Sequence, residues 1–170
     1  MKTKLNISEL HQNAVAAAAR EKAATYHLLE CLHLIDRCKG YLDLGYPSLF
    51  DYLHRALGYS ETQSYERMHA TRLAFRVESV GEKLKTGELT LTSVAKIAAH
   101  AKREHLDRAQ IADLAKRSAN QSVKMVERLL VAEAKVPFVR KETIRPFGNG
   151  AAELKIIIDA EFEELLREAR

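Results

Sequence analysis

Pro47-Ser48-Leu49-Phe50-Asp51-Tyr52-Leu53-His54-Arg55-Ala56-Leu57-Gly58-Tyr59-Ser60-Glu61-Thr62-Gln63 holds a helix start, a helix stop and a second start. Pro47 and Ser48 open the first helix, and Asp51 lies in its first turn, where the macrodipole favours a carboxylate. Gly58 closes it after Leu49, Phe50, Leu53 and Leu57, so about ten residues suffice. Ser60 and Gln63 then have the spacing of a capping box, in which each side chain satisfies the other's free backbone amide. A second helix therefore begins almost at once and runs to about Val77. Two helices joined by a three- or four-residue turn set the pattern for the chain.

Outward from this pair the same punctuation recurs. Upstream, Ser8 can cap a helix through Ala14–Ala19 and the apolar positions Tyr26, Leu28, Leu29, Leu32 and Ile35, which Gly40 ends. Its small-residue first half lets another backbone come close, which suggests a homodimer through this helix. Downstream, Val80 to Lys85 forms a short helix stopped by Gly87, and Thr92 opens one that reaches Lys102. Asp107 with Gln110 repeats the capping-box spacing and opens a helix to about Arg117. Ser118 with Gln121 offers it again, before a helix carrying Val123, Val126, Leu129 and Leu130.

Residues 1–136 thus read as one helical domain. Residues 137–150, with Arg140, Lys141 and Arg145 among prolines and glycines, read as a basic linker. Residues 151–170 begin a further domain, with a short strand at Glu153–Ile158 and an acidic helix from Glu161 capped by Asp159. A lone strand lacks a partner, so this tail reads as the start of an incomplete C-terminal domain.

Composition agrees with an all-α class. The 170 residues are 46% apolar and 29% charged, with 7 Gly, 3 Pro and no Trp. No apolar run approaches the roughly 20 residues of a membrane span, and the N-terminus lacks the apolar stretch of a secretory signal. A cytoplasmic chain with no membrane partner is the expectation. The net charge of +4 is unevenly spread: residues 59–146 hold 17 basic and 11 acidic side chains, whereas 147–170 hold 3 and 6. Cys31 and Cys38, about two helical turns apart, are too distant for a disulfide. A metal there would need His27 or His33 as well, and helix packing is the simpler reading.

Two helix pairs invite comparison with the DNA-binding helix-turn-helix. In the first, Thr62, Tyr65, His69, Arg72 and Arg76 fall within about 80° on the second helix, a polar, cationic and aromatic stripe suited to phosphate and base-edge contact. Met68 and Phe75 flank it on one side and Leu73 and Val77 on the other, which fits equally a helix wedged between two neighbours. Arg72 then has two readings, as a DNA contact or as a buried structural arginine whose guanidinium ties loops together. Arg67, on the opposite side, is expected to face solvent. In the second pair Lys124, Glu127, Arg128 and Lys135 lie outside the apolar face, and Lys116 and Arg117 flank the turn. The nucleic-acid-binding candidates are therefore Arg67, His69, Arg72, Arg76, Lys116, Arg117, Lys124 and Arg128. Enzyme signals are poor, with no Gly-rich phosphate loop, nucleophile elbow or paired-cysteine zinc spacing. His100 and His105 lie about 140° apart on a helix, so they do not share an ion, and no catalytic or metal-binding residue is assigned.

Asp36-Arg37, Tyr41-Leu-Asp-Leu-Gly-Tyr-Pro-Ser-Leu-Phe-Asp-Tyr-Leu53, Leu57-Gly-Tyr-Ser-Glu61, Tyr65-Glu-Arg-Met-His-Ala-Thr-Arg-Leu73 and Gly87-Glu-Leu-Thr-Leu91 together resemble the helical N-terminal region of bacterial HNH endonuclease family proteins. The likeness spans Leu28 to Lys135 and, more loosely, the tail. It implies a region that binds and positions double-stranded DNA ahead of a ββα-metal nuclease domain, where a histidine base and a divalent ion cut the phosphodiester. No His-His or His-Asn pair and no Cys-x-x-Cys follows in these residues, so no catalytic residue and no cofactor carries over. The expectation is a DNA-binding region of an HNH-type endonuclease, either the N-terminal part of a longer enzyme or a shortened relative. The alternative is a helical protein-interaction or dimerisation module.

Overall fold

A computed structural model describes residues 6–134, 143–146, 148–156, 158 and 160–168. The chain divides into two compact units, Met1–Val136 and Pro137–Arg170. Among the described residues it is predominantly helical, with one two-stranded antiparallel sheet near the C-terminus.

The first unit opens with α1 (Ile7–Cys38), whose N-cap is Asn6 rather than Ser8; the Asn6 side chain accepts from the Glu9 amide. Residues 6–24 are all exposed, and α1 buries only Leu29 and Leu32 in its second half. The left-handed residue that ends α1 is Lys39 (φ 55°), not the expected Gly40, which begins a one-turn helix α2 (Gly40–Asp43). Glycine suits that position because an added Cβ would sit 3.2 Å from the Cys38 sulfur.

Ser48 caps α3 (Leu49–Asp51), accepting from the Asp51 amide at 3.0 Å, but the helix does not continue as α. Residues Tyr52–Ala56 form a wider π turn, closed by the Leu57 amide on the Tyr52 carbonyl at 3.2 Å, before Gly58 (φ 72°) ends it. The Ser60–Gln63 capping box is present in both directions and starts α4 (Glu61–Arg76), which ends where Val77 turns extended. The next helix is α5 (Glu78–Thr86), terminated by Gly87 in the left-handed region (φ 82°). Gly81 lets α5 approach α4, since a Cβ there would lie 2.9 Å from the Ala74 carbonyl oxygen.

Thr90, not Thr92, caps α6 (Leu91–Arg103), its hydroxyl accepting from the Ser93 amide. The Asp107–Gln110 capping box starts α7 (Arg108–Ser118) as expected. The next boundary corrects the sequence reading: Ser118 is the buried last residue of α7, and Ser122 is the N-cap of α8 (Val123–Glu133). Asn120 takes a left-handed φ of 57° in the turn, and its amide reaches the Glu88 carbonyl at 2.7 Å, fixing where the chain can re-enter a helix. The core joins Leu29 and Leu32 of α1 to Leu49, Leu53, Leu73, Val80, Val94, Ile97, Ile111, Leu114 and Val126. Helix α4 is its central member, lying against α1, α5 and α6.

The second unit corrects two expectations. Within the supposed 137–150 linker lies β1 (Thr143–Pro146), antiparallel to β2 (Ala152–Lys155), with Thr143 opposite Lys155 and Pro146 opposite Ala152. The strand is therefore not alone. Its partner lies upstream, across Gly148–Gly150, where Asn149 is left-handed (φ 71°). A proline is tolerated in β1 because a two-stranded ladder has only edges. Helix α9 (Ala160–Glu168) follows. Arg140, Lys141 and Lys135 lie outside the described residues.

Candidate nucleic-acid interface

The stripe read from the sequence is one accessible face of α4. Thr62, Tyr65, Arg72 and Arg76 are exposed and His69 is half-buried. Helix packing explains why this face stays open: Ser64, Ala70, Thr71, Leu73 and Ala74 turn inward. On one flank the His33 ring of α1 stacks on Phe75 at 4.3 Å, while α6 packs along α4 as well. Helix α4 is thus packed against α1, α5 and α6, and the polar stripe is left uncovered.

Along the stripe the side chains differ in how far they are already engaged. Phe50 lies 4.5 Å from the Tyr65 ring, and Tyr65 is 6.3 Å from His69, so rings from α3 and α4 form a row that leads to the cations. Arg72 donates through Nε to Asp36 Oδ2 at 2.8 Å and through Nη2 to Oδ1 at 3.0 Å. This two-point match bolts α4 to α1 and keeps the guanidinium charged, its pKa raised chiefly by the bond to Asp36. Arg72 is thus a structural tie, but an exposed one that joins two helices rather than a buried one that joins loops, and a phosphate there would compete with Asp36. Arg76, one turn on, has no ion-pair partner among the described residues.

Arg67 is not the solvent-facing cation expected. Its guanidinium is half-buried 3.9 Å over the Tyr59 ring, with Nη1 donating to the Gln63 carbonyl at 3.4 Å. The cation–π contact outweighs full hydration because Tyr59, just ahead of the cap, folds back under the first turns of α4.

Two groups beside the stripe are not among the nucleic-acid candidates read from the sequence. Lys102, in the last turn of α6, and His105, just beyond it, line a groove with His69, Arg72, Leu73 and Arg76 of α4, closed by Ala98, Ala101 and Leu106. His105 holds a left-handed φ of 54° while the Leu106 amide reaches back to the Ala101 carbonyl at 2.9 Å, a helix-ending motif that usually takes glycine. The signal available was the i, i+3 spacing of Lys102 and His105 at a helix end. Spacing alone does not reveal it, because His105 lies beyond the helix in a left-handed turn and meets α4 only through tertiary packing. The two histidines in fact point apart: His100 is buried, with Arg103 Nη2 donating to its Nδ1 at 3.0 Å, and Arg103 also holds the buried Glu104 at 2.9 Å. Burial, then Arg72 and Lys102, push the His69 pKa down; burial and Arg103 do the same to His100.

In the second helix pair Lys116, Lys124 and Arg128 are exposed, with Lys124 and Arg128 one turn apart on α8. Arg117 is committed to the fold: it bonds Asp113 Oδ2 at 2.8 Å and Glu133 near the end of α8, which hold it protonated and tie the hairpin shut. Glu127 of α8 pairs with Lys96 of α6 at 2.7 Å. Cys31 and Cys38 are both free and exposed. Among the described residues no group of three or more His, Cys, Asp or Glu side chains is arranged to hold a metal ion, and no helix is long and apolar enough to cross a membrane.

No protein-family model matches the chain, and no curated protein or solved structure matches it. A functional reading therefore rests on the geometry just described and on the likeness carried by the quoted motifs.

Proposed function

We propose that the helical unit binds double-stranded DNA and serves as the positioning region of an HNH-type endonuclease. The observation that carries this reading is the open α4 face, where His69, Arg72 and Arg76 stand beside Lys102 and His105 of the neighbouring segment. Cations fixed on packed helices give a phosphate backbone charge in register, while exposed Lys116, Lys124 and Arg128 add screened attraction nearer α8. The basic surplus of residues 59–146 supports the same reading. Phosphodiester hydrolysis belongs to the nuclease motif of that family, which these residues do not contain, so the chain by itself binds without cutting.

Titrating a labelled duplex at roughly 50 mM salt tests the binding, and incubation with supercoiled plasmid and a divalent metal tests the rest. Saturable binding without nicking is the expected result. Absence of duplex binding, or metal-dependent nicking by the chain alone, contradicts it.

A second reading, a homodimerisation module, is favoured by one observation: residues 6–24 of α1 are exposed throughout, with Ile7, Leu10 and Val15 among them. Light scattering distinguishes the two, since a salt-insensitive dimer with no DNA affinity fits only the second.

A further inference from the structure

We propose that the groove between α4 and the end of α6 is a binding site for a phosphate group, with Arg76 and Lys102 supplying fixed charge and His69 and His105 flanking it. The proposal deepens the DNA reading, on which it rests for a phosphodiester as one source of that group; free phosphate is the other.

Among the clefts on the helical unit, three differ in what lines them. The cleft beside Phe75 contains Arg76 and Arg108 but also Glu78 and Glu82. The cleft along α1 contains Lys22 and Lys85 but also Glu30. The α4–α6 groove contains no carboxylate. Of the acids around it, Asp36 is held by Arg72 through two hydrogen bonds and Glu104 by Arg103. Among the described residues neither Arg76 nor Lys102 has an ion-pair partner. Leu73, Ala98 and Ala101 give the groove an apolar floor, where charge is less screened than on an open surface. His105 reaches the rim from a left-handed position that glycine fills at lower cost.

The experiment follows the imidazole resonances of His69, His105 and His100 in the full chain by NMR, adding inorganic phosphate or sodium chloride at matched ionic strength. Saturable phosphate-specific shifts at His69 and His105, with a rise in the His69 pKa and no change at the buried His100, are expected. The Arg76→Gln/Lys102→Gln double variant should weaken phosphate binding by about tenfold or more. His105→Gly, which relieves the backbone and keeps the two fixed charges, should retain a weakened His69 response if the double variant fails to fold. Shifts as large in chloride, or as large at His100, overturn the proposal. A duplex DNA arm separates the two readings. Phosphate binding without duplex binding leaves the site standing and removes the DNA reading, whereas duplex binding unaffected by the double variant or by competing phosphate removes the site alone.

Discussion

Arg72 and Arg76 stand one turn apart on α4, yet one is matched to a carboxylate and the other is not. Because the Arg72 side chain is about half exposed, its bond to Asp36 is screened, and Asp36→Ala should cost about 1 kcal/mol in chemical denaturation despite the two-point geometry. The same change releases a cation beside the groove, so duplex affinity should rise while stability falls. A fall in both would mean that Arg72 matters only as a bolt. His100 makes a separate prediction. Burial and Arg103 hold its folded pKa below the ordinary value, so the unfolded chain binds more protons as pH drops. Its contribution to stability is therefore complete above about pH 6.5 and lost as pH falls through the folded pKa. Denaturation midpoints compared at about pH 7.5 and 5.5 should show this loss, and His100→Gln should flatten it.

At the level of elements, helix starts were legible wherever a cap was unambiguous, as at Ser48, Ser60 and Asp107. They were misread where two candidates stood close together. Ser118 and Gln121 have capping-box spacing, but Ser118 is buried with its hydroxyl unpaired among the described residues, and Ser122 does the capping. Local spacing cannot reveal that Asn120 is anchored to Glu88 across the fold, and this contact decides the boundary. Ser122→Ala should cost about 1 kcal/mol, whereas Ser118→Ala should be neutral or stabilising because it removes a desolvated hydroxyl. Thermal or urea unfolding of the pair checks this, and the reverse order would make Ser118 the cap. The π turn at Tyr52–Ala56 was invisible for a similar reason, since α and π share their apolar spacing over one turn. Strand β1 was hidden by its proline and by the basic residues around it, which read as a linker.

For the whole molecule, the fold class followed from helix-favouring composition and recurrent caps, and the second unit adds one small sheet. The candidate interface was only partly visible. The α4 stripe came from periodicity, but Lys102 and His105 join it through tertiary packing of α6, about thirty residues further along the chain. Packing likewise withdrew Arg67 onto Tyr59 and Arg117 onto Glu133. What remains is a basic surplus spread over residues 59–146, with Arg76 and Lys102 brought together in one groove. The direct measurement is the salt dependence of duplex affinity for the unaltered chain and for Arg76→Gln/Lys102→Gln. Loss of two phosphate contacts should lower the slope of log K against log salt by about 1.8, with affinity reduced alike for unrelated sequences. An unchanged slope, or no duplex binding by the unaltered chain at roughly 50 mM salt, would contradict a DNA-binding role for this groove.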